Sequence, residues 1–358
     1  MSSRKILLIT QEKHYKTSEQ RVPQVFASGN TKWLKIFKEL GEILEADMYS
    51  FRPKAYVRHK ADHAKNIRKL NENEVALHTF DLVYVHRQES LEIFNSLNLN
   101  FKRSILWAES CNFKFPINKI DYICHCSVNE FLYNKDMRCK NILTPNFCNG
   151  VKIAPKLVSR KKREKVVFIG RLTPMIIKKI NILSSHFKHI QFDIYGSKFF
   201  YKNNKYIGLG PHCKDRVLAT NRLHEMLPGK NIVLKNIIPH GELYSVLNDE
   251  AYFAGLTFSV HDIGSKTRQV NSSSKFYDYI GAGIPVLTER IVPESFYVKK
   301  DANLGVICPG YKAEGLIDGL ASMVSKEFDY QKIIRYANNH HSAKSRAKEI
   351  FKHVKEDK

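Results

Sequence analysis

No stretch of this 358-residue chain approaches the roughly 20 consecutive apolar residues that a membrane-crossing helix needs, so no such helix is expected. The start, MSSRKILLIT, holds an apolar run only from Ile6 to Ile9, with no small-residue cleavage site behind it. It reads as a first strand rather than a signal peptide. Cysteine is sparse: seven residues, an odd number, with no C-x-x-C pair. That argues against a disulfide framework and fits reduced thiols in a cytosolic compartment. Cys124-His125-Cys126 resembles a metal site at first sight. On a strand, however, alternation sends His125 to the opposite face, so a core role is expected. No Asp-x-Asp pair stands at a strand end, and neither a bound catalytic metal nor a cofactor is expected. Low-complexity tracts and short-period repeats are also missing.

Acidic residues are few beside basic ones: 35 Asp and Glu against 58 Lys and Arg, a net charge of +23. Such an excess favours a polyanionic partner, whether nucleic acid, acidic lipid or a phosphorylated substrate. A generally lysine-rich background accounts for it equally simply. The basic residues cluster between Lys54 and Lys69 and again in RKKREK, Arg160 to Lys165.

What the chain has in quantity is alternation of strand and helix patterns. Lys5–Thr10, Ala46–Tyr49, Asp81–Val85 (DLVYV), Arg103–Ala108 (RSILWA), Asp121–Cys126 and Asn141–Leu143 read as strands. Helical patterns run from about Gly29 to Leu44 and from Asn129. A loop-like stretch, TPNFCNGVKIA, and the basic run then interrupt the pattern, which restarts with KVVFIG, IQFDIYG, NIVLK, FAGLTF and GVIC. The reading is an N-terminal domain at 1–150, a linker at 151–164, a second domain at 165–340 and a basic terminal helix at 341–358. Strands separated by helices imply parallel βαβ units, hence two doubly wound α/β domains in tandem.

The most informative segment is NSSSKFYDYIGAGIPVL, Asn271–Leu287. Its serines are good helix starters. Lys275 falls in the first turn, where a helix N-terminus already attracts anions. Asp278 follows on the same face, and Gly281 and Gly283 end the helix. A cation and a carboxylate so spaced can grip a diphosphate and a ribose together; a capped surface helix is the plainer reading. Gly170-Arg171-Leu172 directly follows a strand. There glycine allows close backbone approach and arginine offers a planar fork to phosphate.

VVFIGRL, DIYG, PHGELYSVL and SSSKFYDYIGAGIPVL, in this order, resemble the C-terminal donor domain of GT-B glycosyltransferases. They are similar to family 4 and, in S-S-x-K-x-x-x-Y, especially to the xanthan-type glucuronosyltransferase family (family 70). The resemblance covers most of residues 165–310 and is weaker before them. It implies a GT-B fold, two Rossmann-like domains facing a central cleft, with the acceptor on the first and a nucleotide sugar, UDP-linked, on the second. It places Gly170, Arg171, Ser274 and Lys275 at the donor diphosphate, Asp278 on the ribose, and Ile237 and Ile238 beside the base. Tyr279 ends the motif, either at the donor or packed in the core. The terminal helix would cross back to the first domain.

Asn271 stands where retaining family 4 enzymes carry a second acid, which points to inversion. An inverting transfer needs a base from the N-terminal domain. The segment ILWAESCN offers Glu109, which reads equally well as a cap for the next element. His86, after DLVYV, is the second candidate. The acceptor is expected to be a saccharide or lipid-linked saccharide in envelope polysaccharide synthesis, met in the cytoplasm or peripherally at an anionic inner membrane surface. The alternatives are a modified base of DNA, flipped from the duplex, and a non-catalytic nucleic-acid-binding protein.

Overall fold

The computed structural model describes residues 3–10, 32–51, 66–87, 90–108, 116–134, 139–148, 164–170, 172–195, 199–202, 205–208, 217–219, 226–235, 242–267, 269 and 273–356. Glu109, Arg171, Ile237, Ile238 and Asn271 lie outside the described residues, as do most of both basic clusters.

The first half contributes strands β1 (Arg4–Thr10), β2 (Ala46–Phe51), β3 (Ile67–Leu70), β4 (Thr79–Phe80), β5 (Leu82–His86), β6 (Asn100–Phe101), β7 (Ser104–Ala108), β8 (Tyr122–His125) and β9 (Lys140–Leu143). With them come helices α1 (Lys32–Leu44), α2 (Glu72–Ala76), α3 (Leu91–Ser96) and α4 (Val128–Tyr133). Seven strands form one parallel sheet in the order β3-β2-β1-β5-β7-β8-β9, with β4 and β6 paired separately. Alternation along β1 sends Ile6 and Leu8 into the core under α1, and Leu7 and Ile9 into the core on the other face. Both faces of a parallel sheet must be covered, which explains its unbroken apolar strands. Cys124 and Cys126 enter the α1-side core, while His125 bonds to Asn141 through Nε2 at 2.7 Å.

The second half contributes β10 (Lys165–Ile169), β11 (Gln191–Tyr195), β12 (Phe199–Lys202), β13 (Lys205–Gly208), β14 (Val217–Ala219), β15 (Ile232–Leu234), β16 (Ala254–Thr257), β17 (Val286–Thr288) and β18 (Gly305–Ile307). Its helices are α5 (Pro174–His186), α6 (Leu243–Asp249), α7 (Ser274–Gly281), α8 (Ser295–Lys300), α9 (Ala313–Ser325), α10 (Tyr330–His341) and α11 (Ala343–Glu356). Six strands form the second parallel sheet, β15-β11-β10-β16-β17-β18. The strands β12, β13 and β14 make a small antiparallel sheet that the sequence pattern did not suggest.

The chain crosses between the halves more than once. Cys148 bridges to Ser342, and its amide donates to the carbonyl of His341 at 2.8 Å. After that break α11 packs along α1 and puts Ala347 and Ile350 into the first domain's core. On α4, Asn129 Nδ2 donates to the Gln269 carbonyl at 2.6 Å, tying the first domain to the segment that leads into α7.

Candidate functional site

In an open parallel sheet the ligand crevice lies at the carboxyl ends of the strands, where the strand order reverses. In the second sheet that point is the carboxyl end of β10, flanked by β11 and β16. Gly170 stands there with φ +137°, a conformation that side-chain-bearing residues rarely adopt. Its missing Cβ leaves the space that Lys275 occupies: a Cβ built on Gly170 would lie 2.1 Å from Lys275 Cε and 3.0 Å from Nζ. The ammonium also sits 5.0 Å from the centroid of the buried Phe168 ring, in cation–π range. Strand end, glycine and lysine therefore converge, although about a hundred residues separate them in sequence.

Lys275 reaches that place because α7 points its N-terminus at the end of β10. Ser273 caps the helix in extended conformation, and the helix closes at Ala282 with Gly283 at φ +76°. The Ile284 amide returns to the Tyr279 carbonyl at 2.9 Å, a turn that favours glycine. Phe276, Tyr277, Tyr279 and Ile280 are buried; Lys275 and Asp278 are half-buried and Ser274 is exposed. Asp278 lies three positions after Lys275 and so shares its face. Its Oδ1 accepts from the Tyr244 hydroxyl on α6 at 3.3 Å, a long bond.

Of the two places open to Tyr279, at the donor or in the core, its side chain takes the core one. It is fully buried, and its hydroxyl accepts from the Ile169 amide at 2.8 Å. Burial pushes the phenol far above its ordinary pKa. Tyr279 thus pins α7 to the last residue of β10, next to Gly170.

Behind the site stands a strut that the sequence did not reveal. Lys179 on α5 is fully buried. Its Nζ donates to the Ser259 carbonyl at 3.0 Å, the Ser259 hydroxyl at 3.2 Å and the His261 carbonyl at 3.0 Å, and lies 2.9 Å from each oxygen of Glu289. Glu289 also accepts the Ser259 amide at 2.6 Å. One ammonium thereby locks α5 to the loops after β16 and β17.

In the first sheet the order reverses around β1, between β2 and β5. Thr10 and His86 are register partners at the carboxyl ends of β1 and β5, and Thr10 Oγ1 lies 3.3 Å from His86 Nδ1. His86 is 1% exposed, so the imidazole is enclosed by the fold, and the following Arg87 turns the chain with φ +66°. The structure brings Gly170, Lys275, Asp278 and Ser274 to one edge of the second sheet and places His86 on the reversal edge of the first.

No family model and no curated protein matches the chain. Solved structures do. AviGT4, a glycosyltransferase involved in avilamycin A biosynthesis, superposes with TM-score 0.65 at 11% identity, covering 98% of this chain and 97% of its own. The lipopolysaccharide outer core galactosyltransferase WaaB superposes with TM-score 0.65 at 12% identity over 99% and 100%. An E. coli trehalose-6-phosphate structure bound with UDP-2-fluoro glucose gives TM-score 0.60 at 10% identity over 99% of both chains. At such identities the likeness speaks to the fold, and the chain has the GT-B fold of these glycosyltransferases, two Rossmann-like α/β domains in tandem.

Proposed function

We propose that the protein is a glycosyltransferase that moves a sugar from a nucleotide-diphosphate donor, UDP-linked, to a saccharide or lipid-linked saccharide in envelope polysaccharide synthesis. The observation that carries this is Lys275 laid over Gly170 at the strand-order reversal of the second sheet, with Asp278 one turn further on. Lys275, joined by Arg171, neutralises the diphosphate, whose negative charge grows as it departs. Asp278 accepts from the ribose hydroxyls. Ser274 faces the phosphates, and Ile237 and Ile238 flank the base. The transfer is a metal-independent single displacement with inversion. The acceptor oxygen attacks the anomeric carbon, the bond to the diphosphate breaks, and the acceptor proton passes to a base of the first domain. Glu109 is that base; the enclosure of His86 disfavours it as the alternative.

A thermal-shift screen across nucleotides and nucleotide sugars tests the donor, and stabilisation by UDP compounds is expected. Lys275→Ala weakens UDP binding and sharply lowers transfer, and unchanged activity would overturn the assignment. Glu109→Gln retains donor binding and loses turnover; an active variant places the base elsewhere. The charge of +23 suits a polyanionic acceptor surface. Vesicles with and without anionic lipid, run beside duplex DNA, separate a peripheral membrane acceptor from a DNA one.

A further inference from the structure

Helix α7 starts in an unusual way. In a capping box the N-cap side chain takes an amide of the first turn, and a Glu or Gln at the third helical position takes the N-cap amide. Here the Ser273 side chain makes no capping bond, and the third position is Phe276. The N-cap amide is instead taken from outside: Ser273 N–H donates to Glu294 Oε1 at 2.6 Å, across 21 residues of sequence. Glu294 is fully buried, and the positive end of a helix is a favourable place for a carboxylate. The start of α7 is thereby fixed without the Ser273 hydroxyl serving as a local cap.

The surrounding bonds make this a fixed platform. Glu294 lies in the second of two successive turns, in which the Val292 amide donates to the Glu289 carbonyl at 3.1 Å and the Ser295 amide to the Val292 carbonyl at 3.0 Å. Glu289 is in turn held by the buried Lys179. The first of these turns holds the lead-in to α7 at its other end, through the Gln269 amide to the Ile291 carbonyl at 2.9 Å. The Gln269 carbonyl meets Asn129 of the first domain. The segment before Lys275 is therefore anchored at both ends on residues 289–294.

We propose that Glu294 is a positioning residue of the donor site: by holding the Ser273 amide it sets where the first turn of α7, and with it Lys275, meets Gly170. This rests on the donor reading above. Glu294→Asp keeps the charge and withdraws the carboxylate by about 1.5 Å, one carbon–carbon bond. Glu294→Gln keeps an acceptor oxygen at the same reach. UDP binding by calorimetry, donor KM and kcat, and melting temperature are measured for both beside the wild type. Glu294→Asp is expected to weaken UDP binding and raise donor KM about tenfold, with a smaller change in kcat, as a displaced ligand group does. Glu294→Gln is expected to restore wild-type binding. A Glu294→Asp protein that melts lower but binds UDP within about twofold of the wild type has lost only stability, which overturns the proposal. If the wild type itself binds no nucleoside diphosphate, the donor reading fails first and takes this inference with it.

Discussion

Replacing Gly170 with alanine tests the centre of the site, because two independent consequences follow from one methyl group. The first is backbone strain. At φ +137° an alanine is held in a region that costs about 1–3 kcal/mol. For a domain of this size each kcal/mol lowers the melting temperature by about 2–4 °C, so a fall of roughly 2–12 °C is expected. The second is displacement. The new Cβ would lie 2.1 Å from Lys275 Cε, whereas carbon atoms rest about 3.5–4.0 Å apart, so the lysine stem must move by about 1.5 Å or more. If the ammonium binds a phosphate from its present place, a charge-assisted bond of about 1.5–3 kcal/mol is lost, a weakening of UDP affinity of roughly 10- to 150-fold. Lys275→Ala serves as the control: it removes the proposed phosphate contact and leaves the Gly170 backbone as it is. Calorimetric melting and UDP titration of wild type, Gly170→Ala and Lys275→Ala separate the two effects. A Gly170→Ala protein that melts lower yet binds UDP as the wild type does would refute the view that Lys275 acts from its seat over Gly170.

Two further perturbations probe the scaffold. Lys179→Met leaves the Glu289 carboxylate without its buried cation, and loss of one partner of a buried pair costs about 3–5 kcal/mol, to be read as a lower urea midpoint. Glu289→Gln, which still offers an acceptor to the Ser259 amide, should lose less; equal losses would argue against the pairing. His341 is 2% exposed, ringed by Tyr277, Tyr297 and Tyr336, and contacted by the Arg346 guanidinium. Burial first, then Arg346 and His340, hold its imidazole well below the ordinary pKa, so the folded chain keeps it neutral. The unfolded chain takes up a proton below about pH 6.5, so stability is full above that pH and falls below it, by up to about 1.4 kcal/mol per unit. Urea unfolding between neutral pH and pH 5 should show this slope, and His341→Phe should flatten it. An unchanged slope would mean that other groups carry the acid sensitivity.

The fold was readable where burial writes a simple pattern. A strand covered on both faces must be apolar throughout, as in DLVYV and KVVFIG, and those segments are the centres of the two sheets. Edge strands obey no such demand. In β3, Ile67 is half-buried and Leu70 buried while Arg68 and Lys69 face solvent, so its four residues carry little periodic signal. The antiparallel trio β12–β14 is equally short. Local chemistry also marked the start and stop of α7, through its serines and Gly283, and put Lys275 and Asp278 on one face.

What could not be read was contact at long range. That Gly170 and Lys275 touch is a fact about one strand end and one helix axis, and no spacing in the sequence encodes it. Tyr279 illustrates the ambiguity best. Its place in the motif fits a ligand contact, and only the geometry puts its hydroxyl on the Ile169 amide, inside the core. The same holds for Lys179 and Glu294, which look like ordinary surface charges in the sequence and are fully buried in the fold. Burying a charge is tolerated only where partners are ready for it, and here the partners are the loops at the carboxyl edge of the second sheet. Those loops gain rigidity from buried charge where an apolar residue would hold them only by packing. If the site meets a flexible diphosphate with a fixed cation, as proposed above, it has use for that rigidity. The buried charges therefore belong to the same design as Lys275, although none of them lies in the motif that first marked the site.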